Sequence, residues 1–257
     1  MRVALTRPIS DAFDRALTQV PGPAPDVSRA RAEHARYVQA LSELVDALIE
    51  VPAAHHLPDA CFVEDTVVVA SGHALLTRPG APSRRAEVAG VRAALPAGLQ
   101  LHELPDDAVL DGGDVLRIGD RIFVGRSART DAGGVSALRQ TFGPLGYEIV
   151  EVAVRDALHL KCHCASPGEG VVLLADGFAD PALFRGLQVV SVPREEAYAA
   201  NVVGIDGHVL VAEGHPQVNA ALNALGFDPI PLPVAEIARA DGSLTCLSVL
   251  VDIPEGR

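Results

Sequence analysis

Three stretches of the chain repeat one order of apolar and polar positions: an apolar strand, a polar loop, a helix-period stretch, a glycine and a second apolar strand. They run Ala74 to Leu104, Arg121 to Val152 and His208 to Val234. Val88, Val91 and Leu95 recur at spacings of three and four, as do Val135, Leu138 and Phe142, and Val218, Leu222 and Leu225, so each set predicts one face of a helix. The last two helices are expected to close alike, at Leu145-Gly146-Tyr147 and Leu225-Gly226-Phe227, where glycine can take the left-handed conformation. The strands that follow read Glu148-Ile149-Val150 and Ile230-Pro231-Leu232.

Two weaker copies fill the gaps. One spans about Arg2 to Val51, with Tyr37, Leu41, Leu44, Val45 and Leu48 expected on one helical face, and the other about Val171 to Pro193. Five modules of roughly 45 residues are the period of an array whose units cannot bury their apolar faces alone. The expectation is a single domain over residues 1–257, built as a five-bladed α/β propeller of strand-helix-strand modules.

If the modules surround an axis, residues at equivalent positions converge on it. After the five modules come Asp65, Asp111, His159, Asn201 and Cys246, separated by 42 to 48 residues. The predicted centre thus holds two carboxylates, an imidazole, an amide and a thiol, a Cys–His–acid set among acceptors for a cation.

Charge sharpens this picture. A formal net charge of −12 disfavours nucleic acid as a partner, because neutralising phosphates needs clustered cations. Seven Phe, three Tyr and no Trp make a base-stacking surface a poor expectation. No apolar run approaches the ~18 residues of a membrane helix, and Arg2, Arg7 and Pro8 interrupt any secretory h-region. A cytoplasmic protein with free thiols at Cys61, Cys162, Cys164 and Cys246 is expected, with no membrane partner.

Each candidate competes with an ordinary structural role. A cysteine in Leu244-Thr245-Cys246-Leu247 would normally be a buried structural one, and a histidine between Leu158 and Leu160 a core histidine; the register of the repeat favours chemistry for both. The histidines at 34, 55, 73, 102 and 208 are expected on the solvated surface. Cys162-His163-Cys164 invites a metal, but successive strand residues point to opposite faces and no second pair completes four ligands. No metal is expected.

Leu57-Pro58-Asp59, Phe62-Val63-Glu64-Asp65, Thr77 through Arg85, Leu110-Asp111-Gly112-Gly113-Asp114, Ser127-Ala128-Arg129-Thr130, Leu158-His159-Leu160-Lys161 and Asp241 through Cys246 occur in one order across nearly the whole chain. Together they resemble the dimethylarginine dimethylaminohydrolases, within a superfamily of guanidine-modifying enzymes that share a five-bladed α/β propeller. The resemblance implies Cys246 as nucleophile, His159 as general acid and base, and Asp111 as its orienting carboxylate. It implies Glu64 and Asp65 at the substrate guanidinium, Arg84 and Arg129 at its carboxylate, and Asp59, Leu17 and Ala240 as further substrate contacts. Methylated arginine is then the small-molecule substrate and no cofactor is needed. The alternatives are an arginine deiminase or other guanidine hydrolase, and a non-catalytic binder of cationic peptides.

Overall fold

The structure, a computed structural model, describes residues 1–19, 21–168 and 170–253. Its strands form five separate three-stranded sheets. The first combines both ends of the described chain: Arg2–Thr6 lies between Val249–Asp252, antiparallel to it, and Ala47–Glu50, parallel to it. The other four follow the same plan with consecutive strands. They are Val67–Ala70, His73–Leu76 and Gln100–Glu103; Val115–Ile118, Arg121–Arg126 and Glu148–Ala153; Cys164–Gly168, Val171–Ala175 and Gln188–Val192; and Val203–Ile205, His208–Ala212 and Asp228–Leu232. In each of these four sheets a hairpin gives the antiparallel pair, and a crossover gives the parallel one.

The crossovers are helical where the apolar period is strong: Val27–Ser42, Glu87–Ala94, Ala132–Phe142 and Pro216–Ala224. Side chains of Asp26 and Asp131 cap two of them by accepting the backbone N–H of Arg29 and Gly134. Gly146 and Gly226 take φ of +95° and +84°, the left-handed closure expected of them. Two expectations need correction. The first helix stops at Ser42, so Leu44 and Val45 lie in a turn and Leu48 in the following strand; their spacing suited a helix, but the chain must reverse to reach the parallel partner of Arg2–Thr6. The fourth crossover has no α-helix, only a short 3₁₀ turn at Pro181–Phe184.

Every middle strand is apolar on both faces because it serves two cores. Val3 and Leu5 pack with Ala74, Leu76 and Val91 of the second blade, while Ala4 between them joins Tyr37, Leu41, Leu210 and Leu232. Leu75 meets Ile122, Val124 and Leu138; Phe123 meets Val172, Leu174 and Phe184; Leu173 meets Val209, Val211 and Leu222. Each core is thus shared by neighbouring blades, and the strand pair at the chain ends closes the ring. The inner strands of all five blades line one axial cavity of about 250 Å³. The result is a five-bladed α/β propeller.

Candidate active site

A short 3₁₀ turn precedes each inner strand: Val63–Thr66, Gly112–Asp114, Leu160–Cys162, Arg194–Ala200 and Thr245–Leu247. Asp65 and Cys246 lie within their turns, while Asp111, His159 and Asn201 flank theirs. The repeat therefore delivers one polar residue per blade to the axis, on the end away from the inner strands.

There a second cavity, of about 140 Å³, is lined by Cys246, His159, Asp65, Asp59, Arg84, Arg129, Leu17 and Ala240, all expected from the sequence. Phe62, Leu158, Thr18, Gln19, Asp241 and Gly242 complete the wall. Asp111 stands behind it, fully buried, with Oδ2 at 2.9 Å from His159 Nε2. In that bond Nε2–H donates to Asp111 Oδ2, which leaves Nδ1 to exchange a proton with a ligand. Asp111 Oδ1 accepts the N–H of Gly80 at 2.8 Å. Asp114 accepts the N–H of Leu160 and the hydroxyls of Ser127 and Thr130, which ties the His159 turn to the loop carrying Arg129. The paired glycines permit close packing: a Cβ on Gly112 would fall 2.0 Å from the Glu64 carbonyl, and one on Gly113 2.6 Å from His159 Nδ1 and 2.8 Å from Asp65 Oδ1.

The ionisation pattern follows from burial and charge. Burial opposes an imidazolium at His159, but Asp65, Asp111 and Asp114 outweigh it and raise the group to about 9. Burial, with Glu64 and Asp65 nearby, pushes the Cys246 thiol well above its usual range. Burial would also raise Asp65, yet His159, Arg84 and the Gly113 N–H hold it down at about 2. The resting site therefore pairs a neutral thiol with an imidazolium and an ionised carboxylate.

Three residues sit differently from the simplest reading. Arg84, expected at a substrate carboxylate, is 4% exposed and spends Nε, Nη1 and Nη2 on Glu87, Asp65 and the carbonyl of Phe62. Glu64 faces the axial cavity instead, paired with Lys161 at 2.5 Å and accepting the Thr245 hydroxyl at 2.7 Å. Asn201 points its amide along the ring, donating to the Lys161 carbonyl and accepting the Thr245 N–H, so it braces the Cys246 turn. Arg129 differs from Arg84: its ion pair with Asp111 is 3.6 Å long. Of the histidines expected at the surface, His34 is buried on the inner face of the helix Val27–Ser42, and His73 and His102 are bonded to each other at 2.9 Å across adjacent strands of one sheet.

Among the described residues, Asp65, Asp111 and His159 are the one set of three possible metal ligands close enough to share an ion. Their ligand atoms are already occupied by Arg84, Gly113, Gly80 and one another, so an ion would have to displace these bonds.

Residues 11–251 match the family model described as N,N dimethylarginine dimethylhydrolase, eukaryotic. An N(G),N(G)-dimethylarginine dimethylaminohydrolase of Streptomyces coelicolor is 43% identical over 216 residues, 83% of this chain and 82% of that protein. Its counterpart in Pseudomonas aeruginosa is 30% identical over 229 residues, covering 88% and 89%. A solved structure of a cysteine-to-serine mutant of the Pseudomonas enzyme, complexed with citrulline, superposes with a TM-score of 0.92 at 27% identity over 96% of this chain and 98% of that one. A dimethylarginine dimethylaminohydrolase adduct with S-methyl-L-thiocitrulline gives a TM-score of 0.91 at 28% identity, over the same shares of the two chains. The chain belongs to the dimethylarginine dimethylaminohydrolase family.

Proposed function

We propose that this protein hydrolyses Nω-methylated arginines to citrulline and a methylamine through a covalent intermediate on Cys246. The observation that carries this reading is the shared cavity in which Cys246, His159 and Asp65 meet, with Asp111 bonded to His159 from behind. A guanidinium carbon is a poor electrophile because its charge is spread over three nitrogens. Asp65 holds the cation in place, and the positive field of the bound guanidinium lowers the cost of the Cys246 thiolate. The Cys246 thiol gives up its proton to solvent as the cation binds; the thiolate then attacks the central carbon, and the C–N bond to the methylamine breaks as the His159 imidazolium protonates the departing nitrogen from Nδ1. The S-alkylthiouronium that remains is attacked by water, deprotonated by the same nitrogen; the C–S bond then breaks and citrulline leaves. Every step is carried by side chains.

Arg129, with its donors less committed than those of Arg84, takes the α-carboxylate at the outer end. Asp59, Leu17 and Ala240 border the amino-acid end. Asp59 also accepts the Leu17 N–H, which holds the loop over the cavity. We take the five blades to act as one domain, because each blade's turn contributes to this centre or braces it. Four free cysteines suit a reducing compartment, and the cytoplasm is the one we propose. Among the described residues no helix is long and apolar enough to cross a membrane.

A product assay with dimethylarginine, monomethylarginine, arginine and agmatine side by side tests the assignment. Methylamines and citrulline should form from the methylated substrates, whereas release of ammonia from arginine as the main reaction would overturn it. Arg129→Ala should raise KM for dimethylarginine at least tenfold. Agmatine, which lacks the carboxylate, should be a poor substrate for both proteins; if it were the best, the Arg129 contact would be wrong.

A further inference from the structure

Glu87 lines neither cavity and no step above touches it, yet it is 1% exposed and carries a carboxylate. A buried carboxylate needs partners. Glu87 opens the helix Glu87–Ala94 and grips Arg84 along one edge: Arg84 Nε stands 3.3 and 3.2 Å from Oε1 and Oε2, and Nη2 2.9 Å from Oε2. An edge-on contact of this kind fixes the plane of a guanidinium as well as its position. The remaining nitrogen, Nη1, meets Asp65 Oδ2 at 2.5 Å, while Asp65 Oδ1 accepts the Gly113 N–H at 2.8 Å. Nη2 also donates to the carbonyl of Phe62, so the same guanidinium anchors the backbone just before Asp65.

Glu87 is itself held from the far side. Arg7, buried at the end of the first blade's middle strand, donates to the Glu87 carbonyl at 3.3 Å. Gly90 makes room for it, since a Cβ there would stand 2.0 Å from Arg7 Nη2. A line of alternating charge thus runs from Arg7 through Glu87 and Arg84 to Asp65, joining the first blade to the catalytic cavity.

Resting on the assignment of Asp65 to the substrate guanidinium, we propose that Glu87 is a positioning residue for this reaction, setting the orientation of the Asp65 carboxylate through Arg84. In Glu87→Gln the carboxamide keeps one acceptor and turns an NH₂ toward the N–H edge of Arg84. Arg84 then loses its fixed plane, and Asp65 loses the partner that aims it. Asp65 contacts the guanidinium before and during reaction, so the loss falls on KM more than on kcat. Burial pushes the Glu87 carboxyl up to about 7, with Arg84 opposing and Asp59 and Asp65 adding to the rise; Arg7 and Cys61 also face this cluster. Protonation below that value should weaken the grip in the same way.

The test is steady-state kinetics with dimethylarginine from pH 6 to 9 on the wild type, Glu87→Gln, Glu87→Asp, Asp65→Asn and the Glu87→Gln/Asp65→Asn pair. Glu87→Gln should raise KM about tenfold and keep kcat within about twofold, and its KM should stay flat between pH 6 and 8, where that of the wild type rises on acidification. Glu87→Asp, which keeps the charge with a shorter reach, should fall between them. In the Asp65→Asn background the Glu87 substitution should add little, since both act on one contact. A KM within twofold of wild type, equal losses in both backgrounds or a pH-flat wild-type KM would each overturn this role. The last reading and Glu87→Asp decide the matter if Glu87→Gln fails to fold. Wild-type protein that leaves dimethylarginine untouched overturns the activity and this role together, whereas turnover with an unmoved KM overturns this role alone.

Discussion

At Cys246 the resting ionisation runs against immediate attack. Burial and the carboxylates of Glu64 and Asp65 hold its proton on, while Asp65, Asp111 and Asp114 keep His159 cationic to about 9. A bound guanidinium reverses the sign of the local field, so the ligand lowers the cost of the thiolate that attacks it. Two alkylating reagents separate this from a preformed thiolate. A cationic reagent such as chloroacetamidine should inactivate at appreciably lower pH than neutral iodoacetamide; superimposed profiles with a midpoint well below 9 would show the thiolate already present. Cys246→Ser should lose turnover and keep its melting temperature, and Cys162→Ser should keep most of the activity. The acidity of this centre was legible in the sequence because Asp65, Asp111, His159 and Cys246 recur at one position of the repeat. The commitment of Arg84 was not, because a guanidinium beside two carboxylates three and nineteen residues away reads the same on paper whether it points at them or at a ligand.

At the scale of elements, the 3₁₀ turns before the inner strands hold the chemistry in register, and the glycines of the Gly112–Asp114 turn leave little tolerance. Gly113 lies between His159 Nδ1 and Asp65 Oδ1, at distances where a methyl group cannot fit without moving one of them. Gly113→Ala should therefore cost about 10²-fold in kcat/KM, the order expected when reacting groups shift by about an ångström. Circular dichroism should be unchanged, since Gly113 has ordinary negative φ and starts no helix or strand. Activity within threefold of wild type would show that the turn has slack. The pair Asp111-Gly112-Gly113-Asp114 was recognisable as a turn that lets backbone approach closely, whereas Asn201 shared the repeat position yet braces the Thr245 turn, because register fixes a Cα and not the direction of its side chain. The helices were legible where three apolar positions recur at spacings of three and four; in the fourth blade, Pro181, Gly186 and a short connection leave room for only one 3₁₀ turn.

For the molecule as a whole, blade number and ring order followed from the period, since each middle strand alternates its side chains between two neighbouring cores and no blade completes a core alone. The same closure buries the axial charges, and that burial couples stability to pH. His159 has an ordinary value near 6.5 and a folded value of about 9. Between these limits the unfolded chain has released the proton that the folded one retains, so the contribution of His159 is complete below about 6.5 and is lost as pH rises through 9. One proton over that interval corresponds to about 3 kcal/mol, or on the order of 10 °C in melting temperature for a chain of this size. Thermal unfolding followed from pH 6.5 to 9 should show that decline in the wild type. His159→Gln, which removes the titrating group and keeps a polar side chain of similar reach, should flatten the curve over the same interval. A wild-type melting temperature that is level or rising between these pH values would mean that the carboxylates around His159 do not hold its proton in the folded enzyme, and the imidazolium proposed to protonate the departing amine would then have to be formed after the substrate binds.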